Sequence, residues 1–352
     1  MSDPLSRLTA DGLSRLETVR AAQRAFDGGA VLAALQEAVH PDAVLRLGHP
    51  IGETVGADAL YEAAYAPLID AFPDLERRDW ITFDGVTEEG DHWLGCAGHY
   101  VGTFLGPWLD IPPTGHIAAF RFHEFYRLVD GRVAEMQALW DIPELMMRSG
   151  VWPMAPSLGH EWLVPGPLTQ DGLQVENADP DHGARSLAHV RDMLNAMTRH
   201  PKEPPTVMEL PRFWHSHMNW YGPAGIGSVR GIAGFRHWHQ IPFLKAMPDR
   251  GGLRNQLTYH FFAKGDYVAV TGWPNMAQTV LQDGWLGLAP AGRKITLNSL
   301  DFWRLESGKI RENWVMLDML DVYRQLGVDV LARMREFNKA RVMGRVTLPA
   351  AL

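Results

Sequence analysis

The chain has 352 residues, 46% of them hydrophobic and 21% charged, a globular composition long enough for two domains. Its formal net charge of −8 and the lack of a dense Lys/Arg cluster argue against nucleic acid as a partner. The single cysteine, Cys96, excludes an internal disulfide and suits a reducing compartment, so a cytoplasmic location is expected.

Leu13, Leu16, Val19, Ala22 and Phe26 recur at helical spacing, and Gly28-Gly29 should stop that helix. A second helix is predicted over 30–39, broken by His40-Pro41-Asp42, then a strand over 43–47 and a loop over 48–52. A third helix over 58–71 should end at Phe72-Pro73-Asp74. Strands follow over 76–86 and 91–104, then a hairpin over 113–141 and a short helix over 142–148. The next stretch holds Pro153, Pro156, Pro165, Pro167 and Pro180 and has no clean period. It reads as an ordered connector, because Trp152, Trp162 and Leu163 should seek burial.

The order then repeats. Leu187, Val190, Leu194 and Met197 mark a helix, and residues 209–218 a second region. Trp220-Tyr221-Gly222-Pro223 parallels Leu47-Gly48-His49-Pro50. A helix over 228–246 should end at Met247-Pro248-Asp249. Strands over 256–263 and 267–273, a hairpin over 290–318 and helices over 319–325 and 328–342 complete the chain. The expected domains are 1–150 and 184–352, with the connector over 151–183. No run of 18 or more apolar residues exists, so no membrane partner is expected. The opening residues, MSDPLSRLTADGL, show no apolar h-region, so no secretory signal is expected either.

The two hairpins carry the strongest repeat. At one constant offset Pro113 matches Pro290, Gly115 matches Gly292, Phe125 matches Phe302 and Arg127 matches Arg304. Gly131 then matches Gly308, Glu135 matches Glu312 and Asp141 matches Asp318. Asp130-Gly131 and Ser307-Gly308 supply the turns, since glycine accepts the positive φ such turns need. Alternation puts Ala118, Phe120, Phe122, Glu124 and Tyr126 on one face, with Arg121, His123 and Arg127 on the other. In the second copy Ile295, Leu297, Ser299, Asp301, Trp303 and Leu305 share a face. Each copy thus points one carboxylate, Glu124 or Asp301, inward. Three helices followed by mostly antiparallel strands imply an α+β class. The expected architecture is two tandem cone-shaped α+β barrels, each with three helices on a curved sheet. Such a cone leaves a pocket for a small-molecule substrate or ligand.

With that order in hand, both copies resemble the SnoaL-like polyketide cyclase family, within the nuclear-transport-factor-2-like fold group. The resemblance rests on His40-Pro41-Asp42, Phe72-Pro73-Asp74, Pro112-Pro113-Thr114-Gly115 and the run from Phe125 to Glu135. In the second copy it rests on Met247-Pro248-Asp249, Pro290-Ala291-Gly292-Arg293, Phe302 to Glu312 and Gln325-Leu326-Gly327. It implies ring closure of an aromatic polyketide ester by an intramolecular aldol step. An acid/base aspartate on the last strand and a histidine on the strand before it would serve that step. Aligned on the turn, the aspartate position falls at Ala138 and Val315, and the histidine position at Glu124 and Asp301. The resemblance therefore implies a retained pocket with altered or lost chemistry. Proteins of this fold often pair through outer sheet faces, so an internal pseudo-dimer is expected, with further homo-oligomers open. Those faces carry Arg127, Leu139, Phe302 and Trp314.

Asp301 and Glu124 are the acid/base candidates, because a carboxylate in an aromatic pocket loses hydration and its pKa rises. A buried structural acid is the competing reading. Asp301, flanked by Ser299 and Trp303 and expected near His217, Tyr221 and His260, has more polar company than Glu124. Glu124 lies between Phe122 and Tyr126 and is expected to have fewer polar partners. The second copy is thus expected to be the more active. Trp285 and Trp303 in the second copy, with Trp108, Tyr126 and Trp140 in the first, could stack on a planar ligand or simply pack a core. Asp141 and Asp318 each precede a helix, so N-capping is the plainer reading. The pairs His215/His217 and His237/His239 invite a metal reading. In a helix i and i+2 point apart, and no cysteine or carboxylate completes a set, so no metal is expected. No cofactor is expected either, for neither a phosphate loop nor a dinucleotide fingerprint appears.

Overall fold

A computed structural model describes residues 4–25, 27–175, 179–250, 257–282, 285–289, 291–339 and 344–349. Two compact units divide the chain. Met1–Trp80, Asp91–Pro153 and Asp329–Leu352 form the first, and Ile81–Gly90 and Met154–Val328 the second.

The first sheet-bearing repeat begins with α1 (Pro4–Gln23) and α2 (Gly28–Ala38). Asp27 caps α2, its side chain accepting from the Ala30 N–H, which satisfies one of the helix's orphan donors. Strand β1 (Val39–Leu47) already contains His40-Pro41-Asp42, where only a break was expected. Pro41 has no N–H, and the β1 pairing shifts register between Val39 and Val44. Then come β2 (Gly52–Val55), α3 (Gly56–Leu60), α4 (Ala66–Ala71), β3 (Glu76–Val86), β4 (His92–Thr103), β5 (Ile117–Val129), β6 (Arg132–Trp140) and α5 (Ile142–Arg148). The sheet order is β2-β1-β6-β5-β4-β3, with β1 parallel to β6.

The second repeat has α6 (Pro180–Arg199), a 3-10 turn (Pro205–Met208), α7 (Leu210–Phe213), β7 (Trp214–Tyr221), β8 (Ser228–Arg230), α8 (Gly231–Phe235) and α9 (Ile241–Ala246). Strands β9 (His260–Lys264), β10 (Tyr267–Thr271), β11 (Met276–Val280), β12 (Arg293–Leu297), β13 (Ser299–Glu306) and β14 (Lys309–Leu317) follow, then α10 (Met319–Gln325). The order β8-β7-β14-β13-β10-β9, with β7 parallel to β14, reproduces the first sheet. The last helix, α11 (Val330–Phe337), is capped by Asp329 and belongs to the first compact unit. The expected helix over 328–342 reaches residues outside those described, as do Phe26, residue 256 of an expected strand and Pro290 of the repeat.

Both hairpin turns place two successive residues at positive φ, Asp130 and Gly131 in one and Ser307 and Gly308 in the other. This is the backbone the turn sequences demand. Asp141 and Asp318 cap α5 and α10, accepting from the Glu144 and Asp321 N–H groups.

Two expectations need correction. The helix expected over 58–71 is interrupted by a π turn, Tyr61–Tyr65, and the helix expected over 228–246 by another, Arg236–Gln240. Pro67 and Pro242 lie just beyond. Proline lacks an N–H and its ring clashes with the carbonyl four residues back, so the helix widens to accommodate it. Residues 228–230 are strand, not helix.

The second sheet is also cut where the first is continuous. β4 and β5 each run unbroken, but their counterparts split into β10 and β11, and into β12 and β13. Pro274 cannot donate to a ladder. The Asn275 side chain bridges the gap instead, its Nδ2 donating to the Ser299 carbonyl at 2.6 Å and its Oδ1 accepting from the Ser299 N–H at 2.9 Å.

The connector is tied to the second unit. Gly159 N–H donates to Ile226 O, and His160 exchanges two backbone bonds with Ser228. Trp162 and Leu163, expected to be buried, are 46% and 53% exposed. Among the described residues no helix is long and apolar enough to cross a membrane.

Candidate active site

A cavity of about 340 Å³ lies in the second unit, where β9, β10, β11 and β13 face α6. Leu194, Tyr259, Phe261, Val270 and Met276 give it an apolar wall; Gln278, Ser299, Asp301 and Trp303 give it a polar one. A deeper part of about 80 Å³ shares Asp301, Ser299 and Trp303 and continues to Gln240, Phe243, Asn313, Val315 and Leu317. Asp301 therefore stands where the two parts meet. The break in the sheet explains its setting. Asn275 fixes the Ser299 backbone, and the Ser299 hydroxyl donates to Asp301 Oδ1 at 2.7 Å. Arg250 lines both parts and lies over the Phe243 ring, 5.7 Å from its centroid.

The back wall is aromatic. His239 stacks on Trp220 at 3.9 Å, with Phe235 at 5.4 Å and Phe243 at 5.6 Å. Burial among these rings, with Arg250 adding to it, pushes the His239 pKa down to about 3. The imidazole is thus neutral in the folded protein at any ordinary pH. Unfolding restores a value near 6.5, so the unfolded chain binds the extra proton first. This contribution to stability is present above pH 6.5 and is lost as the pH falls toward about 3. His239→Phe should flatten that part of the stability curve, read from urea midpoints across the range.

The first unit carries larger side chains at most of the equivalent positions. At the offset that pairs Gly131 with Gly308, Phe122 stands for Ser299, Glu124 for Asp301, Tyr126 for Trp303 and Trp140 for Leu317. Tyr65 ends one π turn and Gln240 the other. The larger first-unit rings pack together. Tyr100 lies 4.7 Å from Phe122 and 5.4 Å from Trp140, and Tyr65 lies 5.6 Å from Trp140.

Glu124 is enclosed within that packing. Its Oε2 accepts from Arg77 Nη1 at 2.5 Å and Tyr126 Oη at 2.6 Å. Its Oε1 accepts from Tyr100 Oη at 2.8 Å and Trp140 Nε1 at 2.9 Å. Both members of the ion pair are fully buried. The expectation that Glu124 has fewer polar partners is overturned: four donors converge on it. Burial works to lower the Arg77 pKa, but the carboxylates of Asp79 and Glu124 outweigh it and hold the guanidinium well above its ordinary value. Burial and the Glu124 charge push the Tyr100 and Tyr126 hydroxyls well up.

Of the other candidates, Ser299 and Trp303 line the cavity with Asp301. His260 lines a groove of about 480 Å³ that shares Leu194, Leu257, Tyr259 and Phe261 with the cavity. His217 is exposed on β7 and is not among the residues lining the cavity. Tyr221 is also placed away from Asp301. Its hydroxyl donates to Glu312 at 3.2 Å, and its ring tilts against Trp314, which alternates with cavity-lining Asn313 and Val315. Trp285 is buried beside a separate cavity of about 150 Å³, lined also by Trp238 and His239. Phe122, Tyr126 and Trp140 surround Glu124. Gln240, Gln278 and Asn275 belong to the cavity and carry no motif; only Pro242 and Pro274, which mark the distortions beside them, signal it. Among the described residues no group of three or more His, Cys, Asp or Glu is placed to hold a metal ion.

Each repeat is a cone-shaped α+β unit of the nuclear-transport-factor-2-like type, with helices against a six-stranded mixed sheet. The SnoaL-like polyketide cyclase family matches residues 17–147 and 203–326, and the chain belongs to that family with its unit present twice. No curated protein matches the chain. Solved structures similar to it include AclR from Streptomyces galilaeus, at 21% identity over 40% of this chain and 97% of that one, with a TM-score of 0.33. IdmH from Streptomyces antibioticus is 18% identical over 40% of this chain and 98% of its own, with a TM-score of 0.34. TsrD from Streptomyces laurentii is 21% identical over 43% of this chain and 98% of its own, with a TM-score of 0.33.

Proposed function

We propose that the second unit is a cofactor-independent acid/base site of cyclase, isomerase or dehydratase type, acting on a small, largely apolar carbonyl compound. The observation that carries this reading is Asp301 at the junction of the cavity, held by Ser299. Apolar walls seat a flat skeleton, and the carboxylate takes a proton from the carbon next to the carbonyl. The same group returns the proton once the carbon skeleton has rearranged. In this reading the first unit serves the fold, with Glu124 as a buried structural anion for Arg77. A second reading, capture of the ligand without turnover, is favoured by Ala138 and Val315, which stand where the family's aspartate would be.

Deuterium exchange separates the two. The test incubates the protein in D₂O with bicyclic aryl ketones such as 1-tetralone and follows the α-protons by NMR. Wild type should exchange them faster than buffer alone. Ser299→Phe copies the first unit's Phe122 into the cavity and should return exchange to the buffer rate without lowering the unfolding midpoint. Ketone binding without exchange would leave ligand capture as the function.

A further inference from the structure

Buried polar groups in folded proteins are nearly always hydrogen-bonded. The walls of this cavity break that rule repeatedly. Trp214 Nε1 and Gln240 Nε2 on the deeper part, Gln278 Nε2 on the outer part and Trp303 Nε1 on both are buried with no partner among the described residues. Indole nitrogen can only donate. For Gln240 the orientation is fixed independently, because its Oε1 accepts from Arg236 Nη1 at 2.9 Å, which leaves the amide N–H₂ unused. The π turn, Arg236–Gln240, ends on this residue, where the first unit has Tyr65. The cavity thus sets one carboxylate, Asp301, among side-chain donors that have no acceptor among the described residues.

We propose that Gln240, Trp303 and Gln278 bind the oxygens of the ligand and hold the oxyanion that forms when Asp301 removes a proton. Resting on the acid/base reading above, this narrows the substrate class to enolisable compounds with two acceptor oxygens. One oxygen reaches Gln240 and Trp303 in the deeper part and the other meets Gln278 nearer the mouth. In the step itself the C–H bond breaks and an O–H bond forms on Asp301. The electron pair moves onto the carbonyl oxygen as an enolate, and N–H donors to an anion are stronger than donors to the neutral ketone. Return of the proton from Asp301 to carbon reverses the balance. Donors fixed by the fold need no reorganisation as the charge develops.

Phenols test this without turnover, since a phenolate carries the charge of an enolate on a flat ring. Asp301→Asn represents the site after proton removal, neutral at that position and unchanged in size. The probe is 4-nitrophenol, whose anion absorbs in the visible range. Bound to Asp301→Asn, its ionisation should shift toward lower pH, the phenolate binding on the order of tenfold tighter than the phenol. Adding Gln240→Met or Trp303→Phe should each cut that preference several-fold. Gln240→Glu, which keeps the shape and places a negative charge there, should reverse it. Circular dichroism and unfolding midpoints confirm that each variant is folded. An unchanged preference in the donor variants overturns the proposal, and so does failure of Asp301→Asn to bind the phenolate at millimolar concentration. The ketone exchange assay keeps the two readings apart. Exchange by wild type with no donor-dependent phenolate preference removes the donor set alone. A donor-dependent preference with no exchange removes the proton transfer and leaves an oxyanion-binding site.

Discussion

Asp301→Asn should lower turnover of a substrate by about 10²–10⁴-fold, the usual contribution of a positioned general base. Asparagine keeps the volume, and its Oδ1 can still accept from the Ser299 hydroxyl, so the cavity keeps its shape. The loss should therefore fall on kcat, with KM little changed, because only the proton acceptor is removed. Glu124→Gln, measured on the same substrate, should leave turnover close to wild type. Undiminished turnover in Asp301→Asn would sink the assignment, and a dominant defect in Glu124→Gln would move the active site to the first unit.

Glu124→Gln should instead appear in stability, by about 3–5 kcal/mol, the usual cost of breaking a buried ion pair by removing one partner. Arg77 would stay fully buried, with Gln23 and Tyr100 as neutral partners and Asp79, 2.9 Å from Nη2, as its remaining nearby anion. Asp79 should keep the effect toward the lower end. The measurement is the urea midpoint of the first unit's unfolding transition. Glu124→Leu combined with Arg77→Met should recover only part of the loss, since it removes both charges but leaves the Tyr100, Tyr126 and Trp140 donors without that acceptor and Asp79 without that guanidinium. A single variant as stable as wild type would show that the carboxylate is not the counterion that Arg77 needs.

Most of the element order, both hairpin turns, the caps at Asp141 and Asp318 and the inward set of Glu124 and Asp301 were legible in the sequence; β2, β8, β11 and the split of β12 from β13 were not. Each legible feature depends on residues close together in the chain, on strand alternation or on the repeat itself. The opposite surroundings of the two carboxylates were not legible. Arg77 meets Glu124 from a strand 47 residues away, and no periodicity reports such a pairing. The strand break at Pro274 and Asn275 and the π turns before Pro67 and Pro242 had a local signal, the proline. Gln240 and Gln278 had none, because a lone glutamine in a helix or strand looks like surface. His217 and Tyr221 were misplaced because β7 was read as part of a wider region, without the alternation that decides which side chains face inward. The exchange of Phe122 for Ser299 and Trp140 for Leu317 was in view once the repeats were aligned. Read as side-chain volume, it pointed to the copy with space inside.

That pattern of volumes makes substitution at matched positions unequal in the two units. In the first unit, trimming Phe122 or Trp140 would open a hole at about 3–5 kcal/mol each, so most changes there are purged. In the second, a larger side chain at Ser299 or Leu317 would enter the cavity instead of opening one. In the proposed function the ligand takes the volume that Phe122 and Trp140 occupy in the first unit.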